Sequence, residues 1–518
     1  MSPEVNYEHL GCEARRLLKV ERPYRYQLRV AKKLLEGNNV LLQAPTGAGK
    51  TKASLLPFLY ARQQRIPFAD RLIYAVPMRT LVTALHDEAK QLIANAGIVD
   101  VSVSIQMGSQ PDDPFLEADI VFTTIDQLLS AYVGSPVSLP GRNANIVGAA
   151  TIGAYLVFDE FHLLEPDRAL STTVDLARRL KGLSRVLLMS ATVTSSAAEL
   201  ICRRADALFE EVPAVELAAM PSQSTKDRRI HYVEEPLSAD AVLAHHQQRT
   251  IVVVNTVDRA QRLYQELRQH PQKPGVPIKL LHARYLRAHR EATESWARET
   301  FREGSADVGI LVSTQVIEVG LNLSAQTLHT ELAPASAVFQ RAGRCARFTG
   351  ERGEVFMYTL PTNDSGSVQV APYEADERAA IVKTGEEIAR RSGQTFYFAD
   401  ELAVVEAAYG ERDLERLGPI NPNDHAEAVE AAMRTADPAA SRQLIRDADS
   451  VSLAVHLDPS ELQPQSRLAS FSISRISFRA FAKRVLEANQ PLWVLRVPDD
   501  AGDGPVAPIW QTVQDHRL

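Results

Sequence analysis

The chain has 518 residues, 45% of them hydrophobic and 23% charged, with a formal net charge of -7 and three cysteines. No apolar run approaches the ~18 residues of a membrane span, and the isolated Cys12, Cys202 and Cys345 argue against a disulfide framework or a cysteine-built zinc site. The length predicts about three domains, the N-terminus lacks the basic-then-apolar pattern of a secretory signal and so points to the cytoplasm, and the mild acidity leaves open a local basic groove for nucleic acid.

From Glu13 to Glu36 the spacing is helical and rich in cations, a pattern usual on a solvated helix face. Within it lies Arg22-Pro23-Tyr24-Arg25-Tyr26-Gln27, where Gln27 can pair with the N6/N7 edge of adenine while an aromatic or guanidinium plane stacks on its face. Next, Val40-Leu41-Leu42 predicts a buried strand, Gln43-Ala44-Pro45-Thr46-Gly47-Ala48-Gly49-Lys50-Thr51 a tight loop, and the residues from Lys52 a helix. That arrangement cradles phosphate. Gly47 and Gly49 let backbone N–H groups approach an anion, Lys50 reaches β- and γ-phosphates, and Thr51 offers a hydroxyl to Mg²⁺. Ala44 stands where the usual pattern opens with Gly.

Apolar runs at 72–76, 101–105, 120–122, 155–158 and 186–189 alternate with helical spacing and predict a doubly wound α/β lobe, whose ligands gather at the carboxyl ends of the strands. Asp159-Glu160-Phe161-His162 follows the fourth run directly. In phosphate-loop nucleotide hydrolases an acid at this place holds Mg²⁺ and a neighbouring carboxylate orients the attacking water, which assigns Asp159 to the metal and Glu160 to the water. Two acids merely starting a helix are the blander alternative. His162 is placed to sense the γ-phosphate and pass its state onward.

The text from Pro213 to Arg229 reads as an exposed connection, after which a second strand-helix series starts at Thr250-Ile251-Val252-Val253-Val254 and continues at 279–281, 309–312 and 354–358. This half has no phosphate loop of its own. Its helix end Gln340-Arg341-Ala342-Gly343-Arg344-Cys345-Ala346-Arg347 puts Arg344 and Arg347 three apart on one face, where both can reach phosphate across a cleft. Beyond Pro361 helical patterns give way to strand-like alternation, and Phe471 and Trp493 are candidates to stack on a base, although core packing is the commoner fate of such aromatics.

At this point the chain resembles the DExH helicases of superfamily 2. Pro77-Met78-Arg79-Thr80-Leu81 resembles their motif Ia, with Gly108 in the turn after it; Thr123-Thr124 opens a match to motif Ib, Ser190-Ala191-Thr192 to motif III, and Ser313-Thr314 to Asn322 to motif V, with Gly320 for close backbone approach and Asn322 where Asp is usual. The resemblance implies that Arg79, Gly108, Thr123, Thr124 and Thr314 face a single strand, that His162, Ser190 and Thr192 couple hydrolysis to movement, and that Gln27, Gly320 and Gln340 join the nucleotide site. It also implies two tandem RecA-like doubly wound parallel-sheet lobes, expected at 1–215 and 216–362, followed by a mixed α+β accessory domain at 363–518. The stretches at 145–166, 281–285 and 331–334 resemble the CRISPR-associated helicase of type I interference systems. That narrower likeness implies ATP and Mg²⁺ as cofactors, single-stranded DNA as track, and a guide-RNA surveillance complex and a nuclease as partners. The one His-Asp dipeptide, His86-Asp87, sits in a helix pattern and reads as helix surface, so the nuclease is expected on another chain or missing. An RNA or DNA-repair helicase and an ATP-binding recruitment platform with little hydrolysis remain as alternatives.

Overall fold

The computed structural model describes residues 6–107, 110–136, 139, 143–225, 227–272, 275–362, 366–435, 438–446, 450–454, 468, 470–488, 492–496 and 509–512. Strands β1 (Asn39–Gln43), β2 (Leu72–Val76), β3 (Val103–Met107), β4 (Gln110–Pro111), β5 (Ile120–Thr124), β6 (Tyr155–Asp159), β7 (Arg185–Ser190) and β8 (Ala207–Glu211) form one sheet in the order β4-β3-β5-β2-β6-β7-β1-β8. Every pairing is parallel except that of the two-residue β4 with β3. β1, β2, β5 and β6 are buried throughout, as continuous apolar runs require when helices cover both faces.

The order fixes the site. β7 lies between β1 and β6, and at about 4.8 Å per strand the phosphate loop after β1, the end of β7 at Ser190 and the acids after β6 stand side by side. The helical pattern before β1 divides at Pro23 into α1 (Tyr7–Leu18) and α2 (Arg25–Leu35), because proline cannot donate within a helix interior. α3 (Lys50–Gln64) leaves the phosphate loop, and α4 (Arg79–Asn95) follows β2. His86 on α4 turns inward, its ring edge-on to Phe122, while Asp87 stays exposed, so the dipeptide read as helix surface is half core.

The second lobe repeats the plan with β9 (Asp227–Pro236), β10 (Arg249–Val253), β11 (Ile278–Leu281), β12 (Gly309–Ser313), β13 (Thr327–Glu331), β14 (Arg352–Thr359) and β15 (Gln394–Thr395), ordered β11-β12-β10-β13-β14-β9-β15. Only β15 runs antiparallel to its neighbour. The connection read as exposed folds into two short helices, Ala214–Ala218 and Pro221–Ser224, ahead of β9. Gln223 there is buried and donates to the Thr46 carbonyl, while Ser222 donates to that of Gly47. The connection therefore lies on the phosphate loop.

The segment beyond 362 divides its packing. Ile381, Ile388, Phe396, Val404 and Val405 join the core of the second lobe, whereas Val429, Ala432, Leu444 and Ile445 join that of the first. Further on, β16 (Ser450–Ala454) pairs with β17 (Ser470–Ser474), and β18 (Trp493–Arg496) with β19 (Ile509–Thr512), both antiparallel. Phe471 packs on a small core of Ile473, Phe478 and Ala482; the side chain of Trp493, like Gly108, lies outside what is described. Among the described residues no helix is long and apolar enough to cross a membrane.

Candidate active site

The carboxyl ends of β1, β6 and β7 face the second lobe across a cleft of about 1070 Å³. Gln27, Gly47, Gly49, Lys50, Thr51, Asp159 and Glu160 line it from the first lobe, and Gly320, Asn322, Gln340, Arg344 and Arg347 from the second. Residues more than 300 positions apart in sequence thus converge on one space of the size that takes a small-molecule ligand.

On the first lobe, Gly47 at φ +82° and Gly49 at φ +85° occupy the left-handed region, which explains why both are glycine. Ala44 keeps ordinary backbone angles and donates its N–H to the Ser190 carbonyl, so this loop needs no glycine at its first position. The Tyr26 hydroxyl donates to the Ala48 carbonyl at 2.7 Å, and Gln27 Nε2 to that of Gly49 at 3.1 Å. The Gln27 amide oxygen accepts from the Tyr24 N–H, so its side chain braces the loop at the edge of the cleft. Gly49 itself caps α3 without any side-chain bond, leaving the first N–H groups of that helix open to an anion.

Lys50 Nζ lies 3.1 Å from Glu160 Oε1. Burial opposes the Lys50 charge, yet Glu160 and Asp159 raise its pKa above the usual value. Asp159 accepts from the Tyr74 hydroxyl at 2.9 Å and from the Glu160 N–H at 3.0 Å. Burial, followed by the adjacent Glu160 charge, pushes the Asp159 carboxyl up to about 6. For Glu160 burial acts in the same sense, but Lys50 and His162 outweigh it and hold the carboxyl below its usual range. Glu160 adopts φ +52°, and its Oε2 is buried without a hydrogen-bond partner. Backbone strain and an unsatisfied carboxylate oxygen at one residue mark a site built for something other than stability.

His162 joins the elements. Its Nδ1 is 3.0 Å from Ser190 Oγ, which also accepts from the Thr192 N–H, and its Nε2 is 3.0 Å from Gln340 Nε2 of the second lobe. Burial lowers the imidazole to about 4, so the ring is neutral and can accept on one nitrogen and donate from the other. Thr192 Oγ1 and Gln340 Oε1 remain buried and unpartnered.

From the second lobe, Arg344 Nε donates to the Ile317 carbonyl at 2.9 Å and Nη2 to that of Glu318. Arg347 Nε donates to Asn322 Oδ1 at 2.5 Å, so the residue standing where Asp is usual still anchors an arginine. Burial, then the neighbouring Arg347 charge, pushes the Arg344 pKa well down; burial and Arg228 bring Arg347 to about 10. Guanidinium groups remain protonated at neutral pH, and both arginines line the cleft, where the Glu160 and Glu318 carboxylates act on Arg344. Gly320, at φ +89°, touches the first lobe: a Cβ there would meet Thr80 Oγ1 at 2.3 Å.

The residues expected to face a strand are less open. Arg79 is exposed at the start of α4. The Thr123 hydroxyl donates to the Gln106 carbonyl at 2.8 Å, Thr124 caps the helix Ile125–Tyr132, and Thr314 is buried. Tyr74, Ser222 and Gln223 reach the site without a sequence signal, and Tyr26, Thr80 and Glu318, though inside stretches singled out above, take roles no local pattern gives, since each acts through a contact distant in sequence. Among the described residues no group of three or more His, Cys, Asp or Glu is arranged to hold a metal. Mg²⁺ needs only one or two protein donors beside phosphate oxygens, and Asp159 with the Thr51 hydroxyl suits that role, the buried carboxyl being raised by desolvation and by the Glu160 charge that a cation there would offset.

Comparison with known proteins agrees with this arrangement. Residues 24–200 match the DEAD/DEAH box helicase family, and residues 246–350 the family of the CRISPR-associated nuclease/helicase Cas3, C-terminal. The CRISPR-associated helicase Cas3 of Thermoproteus tenax is 27% identical over 73% of this chain and 64% of its own length. The DEAD-box ATP-dependent RNA helicase CshC of Bacillus cereus is 25% identical over 69% of this chain and 86% of its own length. In fold, the crystal structure of T. fusca Cas3-AMPPNP superposes with a TM-score of 0.65 at 18% identity, covering 92% of this chain and 66% of that one. The chain spans 64% and 47% of the first two curated Cas3 relatives it matches. The first lobe is thus similar to the DEAD/DEAH box helicase family and the second to the C-terminal part of the CRISPR-associated nuclease/helicase Cas3.

Proposed function

We propose that the chain is an ATP-driven translocase on single-stranded DNA that works in type I CRISPR interference. The observation that carries this is the convergence of Lys50, Asp159 and Glu160 from one lobe with Arg344 and Arg347 from the other on one cleft. In this reading Gln27 borders the adenine, Gly47, Gly49, Lys50 and Thr51 cradle the phosphates, and Thr51 and Asp159 hold Mg²⁺. The ion would neutralise charge developing on the phosphate oxygens. Glu160 orients the attacking water; phosphate draws Lys50 off it, and losing that cation makes the carboxylate more basic just when a proton must be taken up. Arg344 and Arg347 stabilise the charge that develops in the transition state. His162 passes the state of the site to Ser190 and Thr192 on its own lobe and to Gln340 on the other. Arg79, Thr123, Thr124 and Thr314 hold the strand, by backbone where their hydroxyls are already engaged.

The partners in this reading are a guide-RNA surveillance complex and a nuclease domain or subunit; support comes from the Cas3 relatives and from a fold match at TM-score 0.59 to a structure titled "CRISPR RNA-guided surveillance complex, pre-nicking". A second reading, an RNA helicase, is favoured by the larger share of the CshC relative that the chain covers. Steady-state ATP hydrolysis without nucleic acid, with single-stranded DNA and with single-stranded RNA, beside Glu160→Gln, separates them. Stimulation by DNA and not RNA, absent in the variant, is expected; equal stimulation by RNA would replace the DNA reading, and no hydrolysis under any condition would overturn both.

A further inference from the structure

The helix Phe398–Leu417 is rooted in one lobe and bonded to the other. Phe398, Val404 and Val405 are buried, the two valines in the core of the second lobe. Glu401 Oε1 is 2.6 Å from Nη2 of the fully buried Arg228, whose Nη1 donates to the Ala342 carbonyl at 2.9 Å. Ala342 ends the helix that carries Gln340 and opens into Arg344. The same long helix meets the first lobe further along. Glu406 Oε2 accepts from the Ser195 N–H at 2.8 Å, the Gly410 carbonyl from Ser196 Oγ at 3.0 Å, and Asp413 Oδ2 from Thr194 Oγ1 at 2.7 Å. Thr194 caps the helix Ser195–Ala205, which begins just after Ser190-Ala191-Thr192. The carbonyls of Leu417, Gly418 and Ile420 then take up the Arg204 guanidinium.

One rigid rod of roughly 30 Å therefore ties the exit of the arginine loop to the exit of the Ser190–Thr192 strand end, away from the nucleotide cleft. The chemistry at its two ends differs. On the second lobe the anchor is apolar and includes a buried ion pair, which is costly to break; on the first, Leu417 enters the apolar core, and Glu406 and Asp413 add carboxylate contacts to a helix N-terminus and a hydroxyl. The rod is thus rooted in both lobes, with Glu406 and Asp413 fixing how it meets the first. We propose that this helix is a strut that sets the register of the two lobes before nucleotide binds, with Glu406 and Asp413 as positioning residues for the reaction in the cleft. The proposal rests on the reading of the cleft as an ATP site.

The test uses the full chain carrying the Glu406→Ala/Asp413→Ala pair, beside a Glu406→Gln/Asp413→Asn pair that keeps an accepting oxygen at each position. Three quantities are read: the nucleotide-free distance distribution between dyes placed one on each lobe, kcat for ATP, and the Kd of a fluorescent ATP analogue, which depends chiefly on the first lobe. The alanine pair should broaden the distances and lower kcat about tenfold, with Kd changed far less, while the Gln/Asn pair stays close to wild type in all three. A merely structural role would lower kcat and binding together and would not be rescued by Gln and Asn. Wild-type distances in the alanine pair overturn the proposal, as does a Gln/Asn pair that falls as far as the alanine pair. If the wild type hydrolyses no ATP, the ATP reading fails by itself and the dye distances still decide the strut.

Discussion

The two lobes carry nearly the same sheet but finish the corresponding strand in opposite ways. After β1 the chain makes a loop with two left-handed glycines, and α3 starts with no side-chain cap. After β10 the Thr256 hydroxyl accepts the Arg259 N–H and closes the start of the helix Val257–Gln269, while Asn255 gives its N–H to Glu331 and its amide to the Leu332 carbonyl. The first helix start is left for an anion from outside; the second is satisfied from within. On the function proposed above, a repeated fold thus binds one nucleotide, the second lobe lending its arginines to a site it cannot build alone.

The largest way to break this difference is Lys50→Ala, which removes the cation facing the phosphates and strands Glu160; ATP turnover should fall about 10³-fold, read by phosphate release. Gly320→Ala forces a Cβ onto Thr80 in a left-handed backbone and pushes the lobes apart. It should cost ~10²-fold in turnover while binding of a fluorescent ATP analogue by the first lobe is largely kept. Asp159→Asn tests the electrostatics. A carboxyl held near 6 against 3.8 in a free chain binds its proton more tightly when folded, so its ionisation destabilises the native state as pH rises through that window. The nucleotide-free variant should therefore melt a few degrees higher than wild type at pH 8, with the gain fading as pH falls below 6 and gone near 4. The smallest effect belongs to the closed helix start: Thr256→Ala should lower stability by about 1 kcal/mol in urea unfolding and leave nucleotide affinity unchanged.

What the sequence reveals and what it conceals divide along the same line. The phosphate loop, the Asp159-Glu160 pair and the Arg344 loop are legible because their chemistry is held in a few consecutive residues. β13 is not, since Thr327-Leu328-His329-Thr330-Glu331 reads as polar text, yet all five are buried, His329 bonding to the Tyr358 hydroxyl at 2.8 Å and Thr330 to a backbone carbonyl. β9 is hidden likewise, its charged residues running between β14 and β15. Ser222 and Gln223 on the phosphate loop, Thr80 against Gly320, and the two feet of Phe398–Leu417 depend on contacts made only once the lobes are folded, which no local pattern records.

On the proposed function the second lobe completes the chemistry of the first. Arg344→Lys separates the cases, because lysine keeps the charge but loses the planar fork that holds two carbonyls and, on the proposed function, would also meet a phosphate. ATP turnover and ATP-analogue affinity would be measured side by side on the folded variant. Turnover should drop about a hundredfold or more while affinity changes only slightly; turnover at the wild-type rate would mean that the second lobe adds nothing to the chemistry of the first.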